Sequence, residues 1–106
     1  MAISYEVVVQ PLALQDMTEA VTYIAGELKN PIAADRLAER LVRGIESLAA
    51  IPTRCPLHHT QRPLRYEYRQ LRVDNYLLLF TVSEEDETVT VARVLYARRD
   101  VDTHLE

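Results

Sequence analysis

Residues 68–96 read YRQLRVDNYLLLFTVSEEDETVTVARVLY. The reading of this stretch decides the fold. Tyr68–Val73 runs into Asp74-Asn75, a dipeptide that tolerates positive φ and suits a tight hairpin between two apolar runs. Tyr76–Val82 follows and ends in the acidic turn Ser83–Glu87. Thr88–Tyr96 closes the run, and Ala97-Arg98-Arg99-Asp100 comes directly after. Three strands in immediate succession make an antiparallel meander. Tyr76, Leu78, Phe80 and Val82 alternate with Leu77, Leu79 and Thr81, so the middle strand is apolar on both faces and belongs at the centre of the sheet. In the last strand, Val89, Val91, Arg93 and Leu95 alternate with Thr90, Ala92, Val94 and Tyr96.

The first half of the chain supplies the cover for this sheet. Ile3–Val9 reads as a strand, with Ile3, Tyr5, Val7 and Val9 on one side. Pro11 ends it and suits the first turn of a helix. Leu14, Met17, Val21, Ile24 and Leu28 then recur at steps of three and four, an apolar stripe with Tyr23 at its edge. Asn30-Pro31 is a capping residue followed by proline at the first helical position. Ala34, Leu37, Leu41, Ile45 and Leu48 form the stripe of a second helix running from Pro31 to about Ala49. Glu39 and Arg43 are spaced for a helix-surface pair. Two such helices with a short connection form an αα-hairpin. Residues 52–67 carry three prolines, two histidines and no periodicity, a connection long enough to be functional or mobile. The tail, Val101–Glu106, reads as short and polar. The expected architecture is α+β: β-α-α-β-β-β, an antiparallel sheet packed on an αα-hairpin, in one domain spanning residues 1–106.

Composition narrows the function classes. With 48% hydrophobic and 26% charged residues, the chain is an ordinary globular one. No apolar run approaches the roughly 18 residues that span a bilayer, and no basic flank with an apolar stretch opens the chain. Cys55 is the sole cysteine, which excludes an internal disulfide and makes a reducing cytoplasm the simplest setting. Cys55-x2-His58-His59 lacks the second cluster that a structural zinc site needs, so no metal and no cofactor is expected. The net charge is −4, yet Arg54, Arg62, Arg65, Arg69 and Arg72 face one acid, Glu67, over residues 54–72. Arg93, Arg98 and Arg99 make a second basic group. Arginine suits bidentate contact to phosphate or carboxylate. The same arginines also read as solvated strand-face residues paired with nearby acids.

The set of motifs in this order resembles the RelE/ParE superfamily, the toxins of type II toxin–antitoxin modules, also called plasmid stabilisation proteins. Asn30-Pro31 before Ala33-Ala34-x-Arg36-Leu37 is similar to the second-helix start of the ParE-type branch. Ile45-x2-Leu48-x3-Pro52 resembles its helix end. Arg69-x-Leu71, then Tyr76-x-Leu78-x-Phe80, resembles its arginine strand and aromatic central strand. Val91-x-Arg93-Val94-x-Tyr96-x-Arg98-Arg99-Asp100 resembles its last strand and closing motif. The resemblance covers nearly the whole chain.

The resemblance implies a cognate antitoxin as partner, whose C-terminal segment wraps the toxin. It also implies one of two targets. ParE-type members resemble gyrase poisons that act by binding and trap the cleaved-DNA complex; Arg72, Tyr96, Arg98 and Arg99 are then the target-binding candidates on DNA gyrase. RelE-type members resemble ribosome-dependent endoribonucleases acting on mRNA, which need a base, phosphate-binding cations and an acid. Arg98 matches the closing-motif arginine of that branch and His104 its C-terminal group. Tyr68 and Gln70 stand where it has lysines, and Leu77 where it has an arginine, so Arg69 and Arg72 would have to substitute. The acidic net charge also weighs against ribosome binding. A third reading is a degenerate member that binds its antitoxin without toxicity.

Overall fold

The computed structural model describes residues 4–60 and 63–105. Its elements run β1 (Glu6–Val9), α1 (Pro11–Gly26), α2 (Pro31–Ser47), a 3-10 turn (Pro52–Arg54), β2 (Arg69–Val73), β3 (Tyr76–Ser83), β4 (Thr88–Tyr96) and α3 (Val101–Leu105). The sheet order is β1-β4-β3-β2. As the apolar pattern requires, β3 is interior, between β2 and β4. Both of its pairings are antiparallel, with Arg69 opposite Phe80 and Tyr76 opposite Tyr96. The hairpin turn sits at Asp74-Asn75, where Asp74 takes a φ of 54°. Aspartate is among the few residues that adopt this conformation readily.

Three expectations need correction. The sheet is mixed, because β1 lies parallel to β4, from Glu6 opposite Thr88 to Val9 opposite Val91. The helices and the connection return the chain to the starting end of the sheet, so β2 runs in the direction of β1; β3 reverses, and β4 reverses again to lie parallel to β1. Of β1 as read from the sequence, Ile3 lies outside the described residues. Second, the buried side of α1 is turned from the expected stripe. Leu14 and Leu28 are exposed, whereas Ala13 is fully buried and Met17, Ala20 and Ile24 pack on the core. Alanines let the helix approach the sheet closely, which an apolar-size count overlooks. Third, the tail is not merely polar: Val101–Leu105 forms α3, and Val101 is buried.

The helical hairpin packs on one face of the sheet. Leu37, Leu41 and Leu48 of the α2 side meet Leu78, Phe80, Val89, Val91 and Val94. The side chain of Asn30 caps α2 by accepting from the Ala33 N–H at 3.1 Å. Glu39 and Arg43 pair as their spacing suggests. Gly44 is where α2 comes nearest the sheet: a Cβ there would lie 2.9 Å from Val73 Cγ2.

A β-bulge breaks strict alternation in β4. Leu79 pairs with Arg93 and Phe80 with Val91, leaving Ala92 as the extra residue. Val91 and Val94 therefore both face the helices, and Leu95 joins Leu77 and Leu79 on the opposite face. There α3 covers them. The sheet has two apolar faces, one under the helical hairpin and one under a single turn of helix.

The long connection is anchored over its first part. Pro56 accepts from the Gln70 N–H at 3.0 Å, and the His58 N–H donates to Tyr68 at 2.7 Å. Arg54 donates from Nη1 to the carbonyls of Ser47, Ala50 and Ile51 at the end of α2. These bonds surround Ile51, whose φ of 47° is unusual for a β-branched residue.

Candidate functional site

β1 ends at Val9, opposite Val91, and the Gln10 N–H makes the last bond, to the Val91 carbonyl. Beyond that point β4 has no strand on its β1 side among the described residues, while β3 continues along the other. Its far half and α1 instead form the walls of a groove of about 570 Å³. Asp16, Glu19, Ala20 and Tyr23 line one side, and Val94, Leu95, Tyr96, Arg98, Arg99 and Tyr76 the other.

Asp16 closes the inner end of this groove. Its side chain is only 9% exposed. It accepts from Arg93 Nε at 2.7 Å and Arg93 Nη2 at 2.8 Å, and from the Val94 N–H at 3.0 Å. The carboxylate thus satisfies an edge amide that β1 is too short to reach. The two parallel bonds hold the Arg93 guanidinium charged, raising its already high pKa further; burial opposes this but is the weaker effect. The third arm of Arg93, Nη1, donates to the His104 carbonyl at 2.8 Å. One arginine therefore joins α1, β4 and α3.

The outer end of the groove is aromatic and basic. Tyr76 and Tyr96 pack with centroids 5.7 Å apart. Burial raises the Tyr76 pKa, the nearby Tyr96 adds to the effect, and Arg99 opposes it. Its hydroxyl is thus a neutral hydrogen-bonding group. Tyr23, read from the sequence as a packing residue at the stripe edge, is 54% exposed over the groove. The side chains of Arg98 and Arg99 make no hydrogen bond or ion pair among the described residues, and both are exposed.

The residues singled out from the sequence fall into separate places. Tyr96, Arg98 and Arg99 share the groove. Arg72 reaches the same end of the sheet from β2, donating from Nε to the Asp74 carbonyl at 2.9 Å and from Nη2 to the Asn75 side chain. Arg69 lies at the other end, opposite Phe80, where Nη1 donates to the Cys55 carbonyl at 2.6 Å. Four strand residues separate that level from Tyr76 and Tyr96, roughly 13 Å. The His104 ring sits against the Asp100 carbonyl at 2.9 Å. The basic stretch of residues 54–72 is thereby dispersed: Arg54, Arg69 and Arg72 bind backbone carbonyls, Arg65 is also engaged, and Arg62 lies outside the described residues.

Among the described residues no group of three or more metal-ligating side chains converges. Cys55 is buried, and burial raises its thiol pKa despite Arg54 and Arg69 nearby. The ring of His58, largely buried, lies between Gln70 Oε1 at 2.9 Å and Asp102 Oδ1 at 2.8 Å. No described helix is long and apolar enough to cross a membrane.

This fold is shared with chains from two solved toxin–antitoxin systems. A chain described as the chromosomal ParDE toxin–antitoxin system from Pseudomonas aeruginosa superposes with a TM-score of 0.72 at 13% identity, covering 92% of this chain and 100% of that one. A chain of the RelBE2 toxin–antitoxin complex from Mycobacterium tuberculosis gives 0.64 at 23% identity, covering 89% and 92%. At the level of sequence, residues 7–101 match the family described as the ParE toxin of the type II toxin–antitoxin system, parDE, and the chain belongs to that family. No curated protein matches it by sequence.

Sequence reasoning missed Asp16 and read His58 only within the Cys55-x2-His58-His59 cluster. Neither role carries a local signal. Asp16 reads as one more solvated helix acid, and its partner Arg93 is 77 positions away.

Proposed function

We propose that this protein is a toxin held inactive by a cognate antitoxin, and that it acts in the cytoplasm by binding DNA gyrase. In this reading the contact surface is the outer end of the groove: Arg98 and Arg99, with Tyr96 between them and the sheet, and Arg72 on the flank. The observation that carries it is the pair of unpartnered guanidinium groups at an open, aromatic-lined edge. Exposed arginines beside aromatic rings are the residues that dominate protein interfaces. The antitoxin follows from family membership, supported by the two neighbours, which come from toxin–antitoxin systems.

The arrangement favours binding over RNA cleavage. Cleavage needs a base, an acid and phosphate-binding cations around one phosphate. Here Arg69 is tied to the Thr53 and Cys55 carbonyls at the far end of β2, and His104 faces the Asp100 carbonyl.

The test is supercoiling by purified gyrase. Wild-type protein should inhibit and accumulate cleaved DNA. Arg98→Ala and Arg99→Ala should each weaken inhibition about tenfold, the scale of losing one good arginine contact. Absence of inhibition, with translation stopping first when the protein is expressed alone, would overturn the gyrase reading in favour of a ribosomal target. Growth without effect would indicate the degenerate member.

A further inference from the structure

The second apolar face of the sheet is closed by very little chain. Leu77, Leu79 and Leu95 are at most 8% exposed, and Val101 and Leu105 of α3 are what pack over them. A helix of five residues is too short to hold itself, because nucleation is unfavourable and few internal bonds form. Burying two aliphatic side chains does not by itself offset the ordering of so short a segment. The seat of α3 therefore depends on its polar anchors.

Among the described residues, two such anchors reach α3 from other elements. One is Arg93 Nη1, which donates to the His104 carbonyl. The other is His58. Its side chain is 12% exposed, and its ring spans from Gln70 on β2 to Asp102 on α3. Its own backbone is fixed by the bond from its N–H to the Tyr68 carbonyl. Both ring nitrogens are engaged, one on each element. It acts as a rivet.

What the rivet holds is the segment Ala97–Asp100, which carries Arg98 and Arg99. At the strand end this segment is fixed by the Ala97 N–H donating to the Asn75 carbonyl at 2.8 Å, and by the Arg99 N–H donating to Tyr96 at 2.9 Å. At the other end it is fixed by the seating of Val101. We propose that His58, through Asp102, is a positioning residue for Arg98 and Arg99: by seating α3 it sets the course of the turn that presents both arginines. The functional half of this proposal rests on the reading that these arginines contact the target.

Limited trypsin digestion tests the structural half directly, because trypsin cuts after arginine in locally unfolded chain. In folded full-length protein, His58→Ala should raise the cleavage rate at Arg98 and Arg99 about tenfold, with cleavage at Arg40 and Arg43 on α2 unchanged. His58→Gln, which can still reach Asp102 with an amide donor, should recover most of the protection. Gyrase inhibition should fall about tenfold in His58→Ala and recover in His58→Gln, while antitoxin co-purification persists. If His58→Ala does not fold, Leu105→Ala loosens α3 from its apolar side and should expose the same two sites. Unchanged cleavage in the folded variants would overturn the proposal. So would freed cleavage with wild-type inhibition. If wild-type protein does not inhibit gyrase at all, the target reading fails, and the trypsin result still decides whether His58 orders the turn.

Discussion

Removal of the Asp16 carboxylate should be among the most damaging single changes outside the core. Asp16 and Arg93 are 9% and 16% exposed at their side chains and share two charge-assisted bonds. Asp16→Ala strands the Arg93 charge in a poorly solvated place, which costs about 3–5 kcal/mol for a fully buried pair. It also leaves the Val94 N–H without its acceptor, a penalty of about 1–3 kcal/mol if no water replaces it. The guanidinium can partly turn toward solvent, so the two do not add, and about 3–4 kcal/mol is expected. For a domain of this size that lowers the thermal midpoint by about 15 °C. Asp16→Asn keeps an oxygen acceptor and should lose roughly half as much. The decisive measurement is a double-mutant cycle read by urea unfolding. Asp16→Ala combined with Arg93→Met removes both charges, and the double variant should be more stable than the sum of the singles predicts by at least about 1 kcal/mol. Additive losses, or a loss below about 1 kcal/mol for Asp16→Ala, would refute the account of Asp16 as the partner that makes a buried Arg93 tolerable.

Two further outcomes follow from the packing. Gly44→Ala should destabilise by about 1–2 kcal/mol in chemical unfolding even though alanine is the better helix former by about 1 kcal/mol, because the new methyl meets Val73 and Leu78 at 2.9 and 3.2 Å; a stabilised variant would refute the close approach. Cys55 should resist alkylation by iodoacetamide in the folded protein at neutral pH and react once unfolded. Its raised folded pKa also carries a sign for stability: the contribution is fully present below the unfolded value near 9 and is lost as pH climbs through the folded one, because the unfolded chain gives up the proton first. Unfolding midpoints of wild type and Cys55→Ala across pH 7–10 should converge as pH rises, and a constant gap would count against that.

The sequence carried the fold where local chemistry is decisive and failed where a distant partner decides. The hairpin at Asp74-Asn75, the cap at Asn30 and the doubly apolar β3 each follow from residues adjacent in the chain, and each is found. The alternation of β4 misleads beyond Val91 because a single extra residue, Ala92, reverses the faces of everything after it. No property of Ala92 announces a bulge. The stripe of α1 misleads at its ends, because size does not decide burial: Met17 and Ile24 pack on the core as the stripe predicts, but Ala13 and Ala20 share that face while the larger Leu14 and Leu28 are exposed. Of the candidate site, Tyr96, Arg98 and Arg99 were legible as a contiguous motif. Asp16, Tyr23 and His58 were not, since each acquires its role from a residue on another element.

The parallel pairing of β1 with β4 bears on synthesis as well as structure. Glu6 finds its neighbour at Thr88, so β1 must wait for β4 before it can pair. While the chain is being elongated, β1 and the helical hairpin have no sheet to close on, and the groove does not exist. Such long-range contacts form late and slowly. Assembly of the fold therefore waits for β4 to be made. A nascent chain that stops short of Tyr96 has no groove, so any partner that reads this surface meets the molecule only after β4 has been made and paired.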